Sequence, residues 1–244
     1  MGESGIAQAN RLVGQYRGAT LALRQHKGME EVHAYRIAAR RLLALLALWR
    51  PLIHEPELER RLTRAVGTLS ALRDAQVYAQ HHGGSLRQNR LPRVPLLTGL
   101  LARWLARLEE VPVGVDLLSL FQLHLALSLS DALAKTTSLP VGTRAKLRCW
   151  HRLRLVLKQA RYGMELLTAQ GGGDPAWLSM LVSWQERLGQ LQDRRQWLRR
   201  LGGETGRGQQ RRALKTEIRC QLLQLDCHQA ELVALRMALL QSGQ

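Results

Sequence analysis

Phenylalanine occurs once in 244 residues, and aromatic residues together make up 5% of the chain. So thin a supply leaves few ring platforms on which unpaired nucleotide bases stack. Lysine is scarce as well: 5 of the 36 basic residues are Lys and 31 are Arg. Acidic residues number only 19, which sets the formal net charge at +17. The three cysteines, Cys149, Cys220 and Cys227, form no CxxC pair. They read as reduced thiols of a cytoplasmic protein, and a zinc site on Cys220, Cys227 and His228 lacks a fourth ligand and the tight spacing of zinc motifs. No metal and no cofactor is therefore expected. The longest uninterrupted apolar run is the eight residues from Leu42 to Trp49, well short of the roughly 18 that cross a bilayer. The opening MGESGIAQAN carries no basic segment leading into an apolar core, and Ile6 stands where myristoylation requires Ser or Thr. Neither a secretory signal, a lipid anchor nor a membrane partner is expected.

What is abundant points to a folded, cationic protein. Hydrophobic residues make up 45% of the chain, enough to bury a core and too many for a disordered polycation. Arg offers a rigid planar fork of donors that never loses its charge, a shape suited to carboxylates and phosphates. Residues 1–122 hold 17 basic and 10 acidic groups and the remainder 19 and 9, so both halves are cationic. A polyanion is the default partner of such a chain.

Leu, Ala, Arg and Gln dominate, and no alternating strand pattern lasts more than a few residues, so the expected fold is all-α. Punctuation by Gly and Pro predicts eight helices, over about 5–27, 30–50, 56–82, 95–110, 115–137, 141–170, 175–201 and 209–241. Breaks are expected at Gly28, Pro51, His82-Gly83-Gly84-Ser85, Val111-Pro112-Val113-Gly114, Pro140, Gly171 through Pro175, and Gly202 through Gly208. Pro56 followed by Glu57 and Glu59 suits a helix start. Four helices on each side of residue 112 predict two four-helix bundles, 1–112 and 113–244.

An internal repeat supports that division. His33-Ala34-Tyr35-Arg36-Ile37 aligns with His151-Arg152-Leu153-Arg154-Leu155 at an offset of 118, and Arg40 then falls on Lys158. Leu69 through Asp74 aligns with Leu188 through Asp193 at an offset of 119. Two blocks in one order at nearly one offset imply a duplicated unit and a pseudo-twofold molecule.

The repeated block carries the candidate chemistry. On a helix Arg36 lies about 60° to one side of His33 and Arg40 about 20° away on the same side, so the three form one stripe. His151, Arg154, Lys158 and Arg161 repeat it and extend it by a turn. A charged stripe on one helix is ordinarily a solvated face. Here the stripes have almost no acidic partner at helical spacing, and the pattern occurs twice, which favours anion binding.

The segment VHAYRIAARRLLALLALWRPL resembles the signature of the CHAD domain, the conserved histidine α-helical domain. Residues 150–167, WHRLRLVLKQARYGMELL, resemble that family's second-half signature. SALRDAQVYA and RLGQLQDRRQW resemble the block that follows each signature, and the four occur in order over roughly residues 10 to 240. The resemblance implies two pseudo-symmetric four-helix bundles with a basic groove or pore between them. It implies binding of inorganic polyphosphate, frequent association with polyphosphate granules, and no known catalysis. Carried over by position, His33, Arg36, Arg40, Arg41, Arg73, His151, Arg154, Lys158 and Arg161 would line the site. The chain departs from the family pattern at Gln159, where a second basic residue is common, and at Gln192, opposite Arg73 of the first half.

Two other classes compete. A phosphohydrolase working through His33 or His151 would need a positioned base and usually a metal held by clustered carboxylates. The run Glu55-Pro56-Glu57-Leu58-Glu59 superficially resembles the ExExK strand of triphosphate tunnel enzymes, but it lacks the Lys and begins a helix. A nucleic-acid binder fits the charge, yet no basic recognition helix stands out. The expectation is a non-enzymatic, cytoplasmic, polyphosphate-binding protein, with nucleic acid a secondary ligand. A homodimer is a further expected partner, because apolar stripes such as Leu222, Leu225, Leu232 and Leu235 suit pairing between subunits as well as within one.

Overall fold

The computed structural model describes residues 5–26, 28–82, 93–112, 116–137, 142–172, 175–202 and 206–241. Every regular element among them is a helix: α1 (Gly5–His26), α2 (Met29–Trp49), α3 (Pro56–Thr68), α4 (Ser70–His82), α5 (Thr98–Glu109), α6 (Leu117–Thr137), α7 (Thr143–Ala169), α8 (Pro175–Leu201), α9 (Gly208–Cys227) and α10 (Gln229–Gln241). None of these is long and apolar enough to cross a membrane. The breaks expected at Gly83 to Ser85, at Val113-Gly114, at Pro140, at Gly173-Asp174 and from Gly203 to Thr205 lie outside the described residues.

Ten helices among the described residues replace the eight expected, because two long ones are interrupted. The first interruption is at Leu69. There Thr68 Oγ1 donates to the carbonyl of Ala65 at 2.8 Å and Ser70 Oγ to that of Val66 at 3.1 Å. These hydroxyls compete with the main chain for the carbonyls of the last turn, and Gly67 weakens the helix beside them. The second is at His228, whose Nδ1 lies 2.7 Å from the carbonyl of Gln224, one turn back.

The chain forms two compact units, Met1–Leu117 with Leu166–Gly172, and Leu118–Glu165 with Gly173–Gln244. In the first, α1 packs on α2 and α5, and α2 on α3 and α4. The buried positions of α2 step by threes and fours through Val32, Tyr35, Ala39, Leu42, Leu46 and Trp49, and α1 answers with Ala9, Leu12, Tyr16, Thr20 and Leu23. This is the period of an amphipathic helix, and each large side chain so buried stabilises the unit by about 1.5–3 kcal/mol. Tyr16 donates to the carbonyl of Pro95 at 2.7 Å and lies 3.3 Å from the Tyr35 hydroxyl. Arg24 Nη2 donates to the carbonyl of Val94 at 2.7 Å, so α1 holds the approach to α5 at two points. Burial pushes both phenols above their ordinary range.

The end of α7 joins this unit through Gln8. Its Nε2 donates to the carbonyl of Leu166 at 2.9 Å, and Gln170 Nε2 donates to its Oε1 at 3.0 Å. Gly171, with φ 85°, then lets the Gly172 N–H return to the carbonyl of Leu167 at 3.0 Å. That left-handed residue ends the helix in the way glycine favours.

In the second unit α7 buries Trp150, Leu153, Leu157, Ala160 and Met164, and α8 buries Trp177, Leu181, Trp184, Leu188 and Leu191. Trp150 and Trp184 stack, with centroids 6.1 Å apart. Helix α9 packs on α8 and α10. Leu222, Leu225, Leu232 and Leu235 are all buried in this unit. The stripe expected to be equally available for pairing between subunits is therefore consumed within the chain.

Candidate polyanion-binding site

The acidic run at the start of α3 is neutralised locally. Glu55, 7% exposed at its side chain, accepts from Arg107 at 2.7 Å and Arg103 at 3.4 Å, both on α5. Glu59 pairs with Arg50 at 2.7 Å, and Glu57 with Arg60 and Arg61. These carboxylates anchor a helix start, and Arg61 and Arg60 hold Glu57 below the usual carboxylate range. Among the described residues, no group of three or more His, Cys, Asp or Glu side chains is arranged to hold a metal ion.

In the first unit, His33, Arg36, Arg40 and Arg41 sit on α2 and Arg73 on α4, two helices that pack together. His33 is exposed and the four arginines are half-buried. Arg36 also has a structural role. Its Nη1 donates to Ser70 Oγ at 3.0 Å and to the carbonyl of Val66 at 3.3 Å, which places a cation at the C-terminal end of α3. That charge complements the negative end of the helix dipole and steadies the break between α3 and α4.

The second unit brings more cations together. Around His151 of α7 stand Arg154 on the same helix and Gln192, Arg195 and Arg199 of α8. Burial, then Arg195 and Arg154, holds His151 below its ordinary pKa, against the opposing influence of the Gln192 amide. Gln192, a departure in the sequence pattern, is thus a neighbour of the repeated histidine. Arg195 is itself pushed down, first by burial and then by Arg199, Arg144 and Arg148. Its register explains why. The buried positions of α8 step through Leu181, Trp184, Leu188 and Leu191, and Arg195 takes the next inward place of that stripe.

Beyond His151, toward the start of α7, the same face opens into a depression of about 500 Å³. Arg144 of α7, Arg195 and Arg199 of α8, and Lys215 and Arg219 of α9 line it, over the apolar side chains Leu147, Leu198 and Ile218. Among the described residues, none that lines it is acidic. Five cations around one concavity, drawn from three helices, repel one another, and an anion placed among them relieves that repulsion.

The repeated sequence pattern picks out His151 and Arg154 of this cluster and passes over Arg144, Arg148, Arg195, Arg199, Lys215 and Arg219. A signal is present nonetheless: Arg144/Arg148, Arg195/Arg199 and Lys215/Arg219 are each cations one turn apart. Lys158 is half-buried further along α7. Arg161 continues the stripe by register, with Glu165 one turn on, at 3.6 Å from its Nε. The guanidinium also stacks over the Tyr162 ring, 4.6 Å from its centroid. The stripe is expected to have almost no acidic partner, and at this last position it has one.

Residues 7–115 match the CHAD domain family. The match takes in His33, Arg36, Arg40, Arg41 and Arg73. A crystal structure of the CHAD domain from the plant Ricinus communis is similar in fold, with a TM-score of 0.60 over 96% of this chain and 89% of that one. Identity is 20%, so this likeness is one of fold. It extends the CHAD comparison past residue 115 to the helices that carry His151 and the cationic depression. No curated protein matches the chain.

Proposed function

We propose that this chain binds inorganic polyphosphate and does not hydrolyse it. The observation that carries the reading is the gathering of Arg144, Arg195, Arg199, Lys215 and Arg219 around one depression with no acid among its described lining residues. His151 and Arg154 continue the cluster along α7. A linear phosphate chain carries a negative charge at every unit, so one cation per helical turn is a matching array. In this reading the first unit's His33, Arg40, Arg41 and Arg73 form the second copy of a duplicated site, with Arg36 holding the helix ends around it. Association with polyphosphate granules follows as a consequence.

Support for a binding role without catalysis comes from the carboxylates. Glu55, Glu57 and Glu59 are each tied to arginines, whereas phosphoryl hydrolysis commonly needs carboxylates converging on a metal. Support for polyphosphate over nucleic acid comes from the tryptophans. Trp49, Trp104, Trp150 and Trp184 are fully buried, which removes their large rings from any base-stacking surface. The test is a calorimetric titration of long-chain polyphosphate against charge-matched duplex DNA at roughly 0.15 M salt, with phosphate release followed in the same samples. Tight, selective binding of polyphosphate without phosphate release is the expected result. Equal binding of both polymers, or steady release of phosphate, contradicts it.

A further inference from the structure

The depression at the start of α7 differs from the stripe beside it in one respect that bears on ligand choice. Along α7 the basic residues Arg148, His151, Arg154 and Lys158 succeed one another on one side of a helix. At the depression Arg144, Arg195, Arg199, Lys215 and Arg219 approach one volume from α7, α8 and α9. Its floor is apolar, formed by Leu147, Leu198 and the buried Ile218. Thr143, the first residue of α7, stands on its rim, which adds the positive end of that helix's dipole.

A phosphate chain is not uniform either. An internal unit has two non-bridging oxygens and one negative charge. A terminal unit has three and, with its last proton leaving near pH 6 as in phosphate esters, close to two charges at neutral pH. Three oxygens splayed about one phosphorus suit donors arriving from several sides. Two oxygens on a running chain suit donors arriving from one.

We propose that the depression of the second unit holds the terminal phosphate of a linear polyphosphate, while the chain behind it runs along α7. From Arg144 to Lys158 this helix extends about 21 Å, and Arg148, His151, Arg154 and Lys158 lie within about 80° of Arg144 around the axis. The inference rests on the polyphosphate reading and adds that chain ends, and not only chain charge, are recognised.

The experiment compares three probes at equal ionic strength: long-chain polyphosphate, linear tripolyphosphate, and cyclic hexametaphosphate. The ring carries more charge than tripolyphosphate and has no end. Each is titrated into the full chain and into the Lys215→Ala/Arg219→Ala variant, with a melting curve to establish that the variant is folded. The expected result is that tripolyphosphate binds more tightly than the ring, and that the paired substitution weakens tripolyphosphate about tenfold or more with a smaller effect on the long chain. Two results overturn the inference while leaving polyphosphate binding intact. One is long-chain binding with the ring equal to or better than tripolyphosphate. The other is tripolyphosphate binding unchanged in the folded variant. If no probe binds, the polyphosphate reading itself falls.

Discussion

Arg195 of α8 stands beside His151 of α7 and adds to the burial that holds the imidazole below its ordinary pKa, while Arg195 is itself pushed down by burial and by Arg199, Arg144 and Arg148. His151, its proton disfavoured, thus sits beside a group of positive charges that the fold holds together at a cost in self-repulsion. A bound polyanion reverses the sign of that interaction and favours the proton on His151.

The pH dependence follows from that reversal. In the unfolded chain His151 takes up its proton near pH 6.5, and in the fold it does so only at lower pH. Below pH about 6.5 the unfolded state therefore binds more protons, so the stability that the neutral ring contributes falls as the solution is acidified. Polyphosphate binding moves the other way and tightens on acidification. His151→Gln is expected to flatten both trends, and affinities and melting temperatures at about pH 7.5 and 5.5 check this. An identical pH response in wild type and variant contradicts it.

Arg36 is expected to act first through the fold. Its removal leaves Ser70 Oγ and the Val66 carbonyl short of a charged donor, and Arg36→Ala should cost about 1–2 kcal/mol. Urea unfolding measures the loss. Arg40→Ala, tested beside it, should lower polyphosphate affinity with a smaller change in stability.

The Tyr16 hydroxyl links α1 to the segment that leads into α5. Tyr16→Phe strips the Pro95 carbonyl of its donor and Tyr35 of its neighbour, a loss of about 1 kcal/mol. Thermal unfolding reads it, and polyphosphate binding should not change.

Glu55 offers a stability test within the first unit, outside the cation cluster. It is 7% exposed and is held by Arg103 and Arg107. Arg107→Ala removes its shorter ion pair and is expected to destabilise the protein by about 2 kcal/mol. An unchanged unfolding midpoint would show that water replaces the arginine at no cost.

Much of the fold is legible in the sequence because helix period and Gly/Pro punctuation are local signals. Six of the expected helices match α1, α2, α5, α6, α7 and α8 closely. The breaks at Leu69 and His228 escape that reading because no Pro stands at either, and a single Gly67 inside a helical pattern does not by itself mark an end. They come from Thr68, Ser70 and His228 reaching back to carbonyls of the preceding turn. Among the site residues, His151 and Arg154 are visible through repetition. Arg195 and Lys215 are not, because they reach one depression only when α7, α8 and α9 pack. Arg161 fits the stripe by register alone, and Glu165, four residues on, gives it an acidic neighbour that the repeat does not show.

The most direct test of a polyanion site in the second unit is the Arg195→Gln/Arg199→Gln variant titrated with long-chain polyphosphate at roughly 0.15 M salt. Removing two mutually repelling guanidiniums should leave the unliganded protein as stable as the wild type or more so. Affinity should fall about tenfold or more, and its dependence on salt should become shallower. A folded variant that binds polyphosphate as tightly as the wild type, with the same salt dependence, would contradict the account.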